Sequence, residues 1–157
     1  MKLEVWAIGK SSHNYLEEGV NYYQQKIRHY LPFEFMVLPE TKQIKSADKN
    51  KSLQLQADLI LSRLSPDDYV VLLDEKGRSF TSVAFSAYLN RFLISSYKRV
   101  IFLIGGAYGF HEKIYGLAKE KLSLSTMTLN HDMVRLFMLE QIYRGCSILK
   151  NEPYHNH

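Results

Sequence analysis

Hydrophobic residues follow two different spacings along this chain. Short segments either alternate apolar and polar side chains or run continuously apolar between turn-forming residues, and both patterns are typical of strands. Pro32 and Pro39, for example, enclose one such run. We predict four strands from these patterns, over residues 1–8, 33–38, 69–73 and 99–104.

Longer segments place their apolar side chains three and four positions apart, which is the spacing of an amphipathic helix. Thr81 stands directly before one of these segments and is predicted to cap it. The polar residues 40–52 are predicted to form a loop. The predicted helices cover residues 14–31, 53–64, 82–94, 112–119 and 131–149.

Strands and helices alternate from one end of this pattern to the other. Parallel neighbours in a sheet need long crossover connections, and helices usually provide them. We therefore predict an α/β fold with a mostly parallel sheet and helices on both faces. The length of 157 residues is typical of one domain and no repeat or linker divides the chain, so a single domain over residues 1–157 is expected.

The composition excludes several classes of protein. Hydrophobic residues make up 46% and charged residues 23% of the chain, which excludes intrinsic disorder. The longest apolar runs fall far short of the roughly 20 residues that a membrane-spanning helix needs. The first residues have the pattern of a strand rather than of a signal peptide, and the single cysteine, Cys146, fits a reducing compartment. A cytoplasmic location is therefore expected.

The net charge of +4 favours an encounter with nucleic acid. The lysines and arginines are scattered along the chain, however, and form no dense basic run. Charge alone is therefore weak support for a nucleic-acid partner.

Two predicted strands end in loops with candidate ligand-binding chemistry. Gly105, Gly106 and Gly109 follow the strand 99–104, and the absence of side chains lets backbone N–H groups approach a ligand. The spacing is neither a dinucleotide-binding fingerprint nor a P-loop, and a tight turn alone would also explain the glycines. Because ligands of parallel sheets bind beyond the carboxyl ends of strands, this loop and residues 73–77 are predicted to share one pocket.

The segment 122–129 places hydroxyls and amides between apolar side chains, as expected around a flat heterocycle, although an edge strand would also explain it. The helix 131–149 that follows is apolar over most of its girth. We predict that it is buried on two sides, either within one domain or by a second subunit. Arg135, Glu140 and Arg144 interrupt its apolar surface, and Glu140 and Arg144 have the spacing of an ion pair.

The last residues of the chain include Tyr154, His155 and His157. Two histidines so close together are candidate metal ligands, but no cluster of thiolates or carboxylates completes a site, so no metal is predicted and a loose terminus is expected. Cys146 is expected to be a small core residue. The sequence contains no spacing typical of a serine hydrolase or a zinc protease.

Five motifs stand in an order and spacing that resemble one known family. It is the ribosomal RNA large subunit methyltransferase H family, a small branch of the SPOUT class, and the resemblance runs from the first strand to the last residues. The motifs are LDEKG at 73–77, LIGGAYG at 103–109, LSLSTMTLNHDMVR at 122–135, EQIYR at 140–144 and EPYH at 152–155.

The resemblance implies a SPOUT-type fold with a deep C-terminal trefoil knot, and a homodimer. It also implies an activity: transfer of a methyl group from S-adenosylmethionine to N3 of a pseudouridine in 23S rRNA, in the loop of helix 69 on the assembled ribosome. No DNA or membrane partner is implied. The principal alternative is a non-catalytic RNA-binding dimer of the same fold, and a third is a flavodoxin-like nucleotide-binding protein.

The family's cofactor contacts are carried over position by position. Ala107, Tyr108 and Asn130 depart from the residues that members often have, without removing backbone contacts. Asn156 and His157 stand where members usually have a basic residue after the Tyr-His pair. The matching cofactor-binding positions are Leu73, Gly105, Leu124, Ser125, Thr126, Met127, Thr128 and Leu129.

The implied reaction sets the chemistry that the protein must supply. Methyl transfer from a sulfonium is an in-line displacement, so alignment of the reactants is the main task. The N3–H group must also lose its proton, which requires a base or a group that stabilises the anion. Arg135 or Arg144 is a candidate for holding an anion or phosphate, Tyr154 for stacking on a base, and no metal is required. The catalytic candidates are His131, Arg144, Tyr154 and His155. His131, Tyr154 and His155 are the candidate bases, and which of them is the base stays open.

Overall fold

Residues 1–156 are described by a computed structural model, and they form five strands and six helices. The strands are β1 (Lys2–Ile8), β2 (Phe33–Leu38), β3 (Tyr69–Ser79), β4 (Arg99–Ile104) and β5 (Glu120–Ser123). The helices are α1 (Asn14–Arg28), α2 (Lys42–Ser46), α3 (Lys49–Arg63), α4 (Ser82–Leu93), α5 (Glu112–Leu117) and α6 (His131–Leu149). All four predicted strands and all five predicted helices are confirmed, with differences at several of their ends.

The strands form one sheet in the order β2-β1-β4-β3-β5, and every pairing is parallel. In the centre, Val5 of β1 lies opposite Phe102 of β4, and Val71 of β3 lies on its other side. The predicted parallel α/β fold is therefore confirmed. Parallel order also places the carboxyl ends of all five strands along one edge of the sheet.

Helices cover both faces of the sheet, as predicted. One face packs alternate residues of β1 and β4, such as Val5 and Phe102, against α1, α4 and α6. The opposite face packs Trp6 and Leu103 against α3 and α5. Both layers exclude water from the central strands, which explains why those strands are apolar at nearly every position.

Two helices occupy most of the segment 40–52, so the prediction of a loop there is wrong. Thr41 caps α2 by accepting a hydrogen bond from the backbone of Ile44, and Asp48 caps α3 by accepting one from Lys51. These caps replace the hydrogen-bond partners that the first turn of a helix lacks. Ile44 is buried, and it anchors the otherwise polar α2.

Strand β3 continues to Ser79, six residues beyond the predicted end at Leu73. Leu73 and Arg78 both pair with Leu122 of β5, so residues 74–77 bulge out of the ladder between them. A Cβ atom on Gly77 would lie 2.6 Å from the backbone nitrogen of Leu122, so only glycine fits there. The apolar pattern did not predict this continuation of the strand, because the bulge residues are polar.

Helix α6 lies between α1 and α4 and over the sheet. Gly19 of α1 permits the close packing, because a Cβ atom there would lie 2.8 Å from Cδ1 of Leu136. Burial within one chain thus explains much of the apolar girth of α6. Among the helices of residues 1–156, none combines the length and apolar character needed to span a membrane.

Candidate active site

A cleft of about 440 Å³ opens at the carboxyl edge of the sheet. The ends of β3, β4 and β5 and the first turn of α6 line it together. The predicted shared pocket of residues 73–77 and the glycine loop is therefore observed. Its lining includes Leu73, Asp74, Gly105, Phe110, Tyr115, Leu124, Ser125, Met127, Leu129 and His131.

The glycine loop is tight because its own atoms leave no room for side chains. Gly109 has a positive φ of 75° and donates a hydrogen bond from its nitrogen to the carbonyl of Gly106. A Cβ atom on Gly105 would lie 3.0 Å from the ring of Phe110 and 3.1 Å from the carbonyl oxygen of Gly109. A side chain at Gly105 would therefore displace Phe110, which is buried beneath the cleft.

The bulge of β3 places a carboxylate on the wall of the cleft. Asp74 accepts a hydrogen bond from the hydroxyl of Tyr115 at 3.1 Å and another from the backbone nitrogen of Lys76 at 2.8 Å. Burial and the hydrogen bond to Asp74 both raise the pKa of the Tyr115 hydroxyl, so it stays protonated and donates at neutral pH.

Serine side chains fix the loop that follows β5. Ser123 donates a hydrogen bond from its hydroxyl to the carbonyl of Ser125 at 3.0 Å, and the Ser125 hydroxyl accepts one from the nitrogen of Met127 at 2.9 Å. The loop therefore keeps its shape through its own hydrogen bonds. Thr126 and Thr128, by contrast, are exposed and do not line the cleft.

The other six cofactor-binding positions predicted by the resemblance all lie on the cleft wall. They come from three separate loops, and one cleft brings them together. They are Leu73, Gly105, Leu124, Ser125, Met127 and Leu129.

The four catalytic candidates separate into two places. His131 is the first residue of α6 and lines the cleft. Arg144 lies thirteen residues further along the same helix, a distance of about 20 Å at about 1.5 Å per residue. Tyr154 and His155 accompany Arg144 and not His131. One chain therefore does not join the four residues into a single site.

We call the second group, formed by Glu140, Tyr143, Arg144, Tyr154 and His155, the tail cluster. The predicted pair of Glu140 and Arg144 is confirmed, with Nε of Arg144 lying 3.0 Å from Oε1 of Glu140. The Tyr154 hydroxyl donates to the same oxygen at 3.0 Å, and its ring stacks under the Arg144 guanidinium. Nη1 of Arg144 lies 3.1 Å from Nδ1 of His155.

A sharp reversal after α6 brings the tail back onto the helix. Asn151 adopts a positive φ of 56°, and Glu152 donates a backbone hydrogen bond to the carbonyl of Ser147 at 2.9 Å. Glu152 also accepts a hydrogen bond from the hydroxyl of Tyr30. The expectation of a loose terminus is therefore wrong for residues 151–156.

Burial raises the pKa of the Tyr154 hydroxyl above its ordinary value, and hydrogen bonds to Tyr23 and Glu140 raise it further. Tyr154 is therefore a neutral hydrogen-bond donor at physiological pH, which disfavours its role as a base. Its ring also contacts the ring of Tyr143 with a centroid distance of 4.6 Å.

Arg135 is not available to hold a phosphate or an anionic base, so that candidate role is wrong. The residue is only 3% exposed, and its Nη2 donates to the carbonyl of Ile8 at 2.9 Å. Asp132, which the sequence did not single out, is equally buried and accepts hydrogen bonds from both the nitrogen and the hydroxyl of Ser12. Its only signal in the sequence is an acidic residue in the first turn of a helix.

Cys146 is buried, and burial raises the pKa of its thiol to about 12, which fits a core residue. Within residues 1–156, no group of three or more histidine, cysteine, aspartate or glutamate side chains is placed to hold a metal ion. His157, the second histidine of the tail, lies outside the described residues.

Comparison with known proteins adds an independent result. The model of a family described as "Predicted SPOUT methyltransferase" matches residues 1–155. A relative from Parabacteroides distasonis is 47% identical over 156 residues, which cover 99% of each chain. One from Cytophaga hutchinsonii is 48% identical over 157 residues, covering 99% of this chain and 100% of its own. One from Flavobacterium johnsoniae is 43% identical over 156 residues. Each is named ribosomal RNA large subunit methyltransferase H.

Proposed function

Because this chain belongs to the SPOUT methyltransferase family, we propose that it transfers a methyl group from S-adenosylmethionine to N3 of a pseudouridine in the helix 69 loop of 23S rRNA, on the assembled ribosome. The family implies the trefoil-knotted version of the parallel fold. The observation that carries the proposal is a sequence identity of 39–48%, over 99% of this chain, to relatives named ribosomal RNA large subunit methyltransferase H.

The cleft fits the size and chemistry of the methyl donor. Its volume of about 440 Å³ is in the usual range for sites that hold ligands of this size. Backbone amides of the loop at residues 124–129 would bind the edge of the adenine ring, and Gly105 would allow close approach of the backbone. When bound, S-adenosylmethionine supplies an activated methyl group on a cationic sulfur.

His131 is the catalytic candidate that belongs to this cleft. In the proposed reaction the new bond joins the methyl carbon to N3, the sulfur keeps the electron pair of the broken bond, and the N3 proton passes to a base. An imidazole can accept that proton near neutral pH. The position of His131 on the cleft wall supports its assignment as that base.

The tail cluster is proposed to act on the RNA through a homodimer. Within one chain it lies about 20 Å along α6 from His131, so it is too distant to complete the same cleft. A second copy of the chain would supply the tail cluster to that cleft. Arg144 would then hold the anionic base or a phosphate, and the Tyr154 ring would stack on a splayed-out nucleotide. The proposed substrate is the ribosome, and a cytoplasmic location is therefore part of the proposal.

The decisive experiment transfers a labelled methyl group to ribosomes that lack this modification. We expect incorporation into 23S rRNA, located by mass spectrometry at one pseudouridine of the helix 69 loop. Naked 23S rRNA, isolated large subunits and whole ribosomes serve as three parallel substrates, and we expect the whole ribosome to react fastest. Methylation at another nucleotide would overturn the proposed specificity.

Titration with S-adenosylmethionine separates the enzyme from its principal alternative. We expect the proposed enzyme to bind the donor and to sediment as a dimer at micromolar concentration. A dimer that binds helix 69 RNA but transfers no methyl group to any of the three substrates would instead be the non-catalytic RNA-binding protein.

A further inference from the structure

Asp132 has a buried carboxylate with one oxygen satisfied and one free of hydrogen bonds. Its side chain is at the start of α6, and the residue is only 3% exposed. Oδ2 accepts hydrogen bonds from the nitrogen of Ser12 at 3.1 Å and from its hydroxyl at 2.7 Å. Oδ1 has no hydrogen-bond partner among residues 1–156. A buried carboxylate oxygen without a hydrogen-bond partner lowers the stability of the fold, so the groups nearest to Oδ1 are candidates for pairing with it.

Two cationic or potentially cationic groups lie near the free oxygen. Nε2 of His131 lies 3.7 Å from Oδ1, and Nε of Arg135 lies 3.8 Å from it. Nη2 of Arg135 donates to Ile8, while its Nε, like Oδ1 itself, has no hydrogen-bond partner within the described part of the chain. The His131 side chain, by contrast, is more than half exposed. A small rotation of the exposed imidazole would therefore satisfy the carboxylate. Arg135 is buried instead, and its Nε faces Oδ1 as an ion pair without a hydrogen bond.

The other oxygen ties α6 to the loop after β1. Ser12 gives its one hydroxyl proton to Asp132, so Nδ1 of His13, 2.9 Å from that hydroxyl, must be the donor to Ser12. Through Ser12 on one side and α6 on the other, the Asp132 carboxylate is held rigidly. Such a fixed charge is suited to orienting an exposed neighbouring side chain.

We propose that Asp132 is a positioning residue that holds the His131 imidazole at the wall of the cleft. When His131 accepts the N3 proton, the resulting imidazolium lies beside a fixed negative charge that stabilises it. This inference rests on the proposed methyl transfer. It goes beyond it by assigning a role to a residue that does not line the cleft.

Two substitutions test separately the charge of Asp132 beside His131 and its hydrogen bonds to Ser12. Asp132→Asn keeps an oxygen for Ser12 but removes the charge beside His131, whereas Ser12→Ala keeps the charge and removes one bond to the loop. We expect Asp132→Asn to lower kcat about tenfold or more, since small errors of alignment are costly in catalysis. Ser12→Ala is expected to change kcat much less. The Kd for S-adenosylmethionine should stay nearly constant in both, and Asp58→Asn on the exposed face of α3 is the matched control.

A double-mutant cycle tests whether Asp132 acts through His131. In the His131→Ala background, Asp132→Asn should cause no further loss of kcat, because the group that it positions is gone. An additional loss of similar size in that background would overturn the proposal, as would a kcat for Asp132→Asn equal to that of the Asp58→Asn control.

A spectroscopic measurement keeps the inference separate from the proposed function. The imidazole nitrogen chemical shifts of His131 should change in Asp132→Asn, while those of His29 and His111 serve as references in the same spectrum. Unchanged His131 shifts would overturn the positioning role. If the wild-type protein transfers no methyl group to ribosomes, the proposed function fails, yet this measurement still decides whether Asp132 holds His131.

Discussion

The two ends of α6 differ in whether backbone or side chains form the surface around them. At its first turn, the cleft is shaped mainly by backbone: a glycine loop, a β-bulge and a loop braced by Ser123 and Ser125. At its last turns, the tail cluster is a network of tyrosine rings and charged side chains. The first end therefore forms one pocket of fixed shape, whereas the second end presents separate side-chain contacts.

This difference predicts different responses to mutation. A cleft made of backbone binds through groups that side-chain changes do not remove, so only changes that move the loops should weaken it. The tail cluster depends on individual side chains, and it can be dismantled one residue at a time. We therefore expect cofactor affinity and methyl transfer to respond separately to changes at the two ends.

Deletion of residues 152–157 should produce the largest effect. It removes Tyr154 and His155 and leaves the cleft intact, so methyl transfer to ribosomes should fall by about 100-fold or more. The Kd for S-adenosylmethionine, measured by calorimetry, should hardly change. Because the tail packs on Tyr143 and bonds to Tyr30, the free energy of unfolding should also fall, by about 1–3 kcal/mol.

A chain shortened only by His157 is the control for this deletion, because it keeps every described contact of the tail. It should behave as the wild type does. Wild-type turnover in the longer deletion would show that the tail cluster is not part of the catalytic machinery.

Gly105→Ala should produce the largest effect at the cleft. The added methyl group meets the Phe110 ring and the Gly109 carbonyl, so the loop must shift. We expect the Kd for S-adenosylmethionine to rise about tenfold, since the loop's backbone contacts depend on its close approach. The matched control is Gly116→Ala in α5, where a Cβ atom meets nothing within 4 Å. Equal affinities in the two variants would contradict the backbone origin of the site.

The sequence could predict the cleft because its signals are local. Glycines after a strand, and a parallel sheet whose carboxyl ends share one edge, need no knowledge of distant contacts. Thr81 was likewise a correct cap, accepting a hydrogen bond from Ala84. The resemblance added Thr126 and Thr128, whose positions are exposed.

Features that depend on tertiary contacts escaped the sequence analysis. The tail returns to α6 through the left-handed conformation of Asn151, and Glu152 then bonds to Tyr30, which follows α1. The bulge after Leu73 continues the strand through polar residues that read as a loop. Asp132 and Ser12 are 120 positions apart, and no pattern within one segment connects them.

Lowering the pH should remove the contribution that the charged Asp132 carboxylate, at the start of α6, makes to stability. Burial acts to raise its pKa, but the Ser12 hydrogen bonds and nearby Arg135 outweigh it, so the pKa of the folded protein lies below its ordinary value. Its contribution to stability is therefore present above that ordinary value, about 3.9, and is lost as the pH falls through the lower value of the folded state. We expect the melting temperature of wild type to exceed that of Asp132→Asn by about 2–4 °C at pH 7.

By pH 2–3 that difference in melting temperature should shrink, because protonation removes the charge from the wild-type carboxyl group as well. Asp58→Asn, whose side chain is exposed, should match wild type at both pH values. A difference that stays constant with pH would mean that the charge of Asp132 does not contribute to the folded state.

Tyr154→Phe should produce the smallest effect, and it tests which part of the tail cluster matters. The phenyl ring keeps its contact with Tyr143 and its place under the Arg144 guanidinium, and only the hydroxyl that donates to Glu140 is lost. Loss of that exposed hydrogen bond should lower the free energy of unfolding by at most about 1.5 kcal/mol. If the ring stacks on a nucleotide, methyl transfer should fall only a few-fold in Tyr154→Phe but approach the loss of the full deletion in Tyr154→Ala. Equal losses in both variants would assign the role to the hydroxyl, and the tail cluster would then act as a hydrogen-bond network rather than as an aromatic platform.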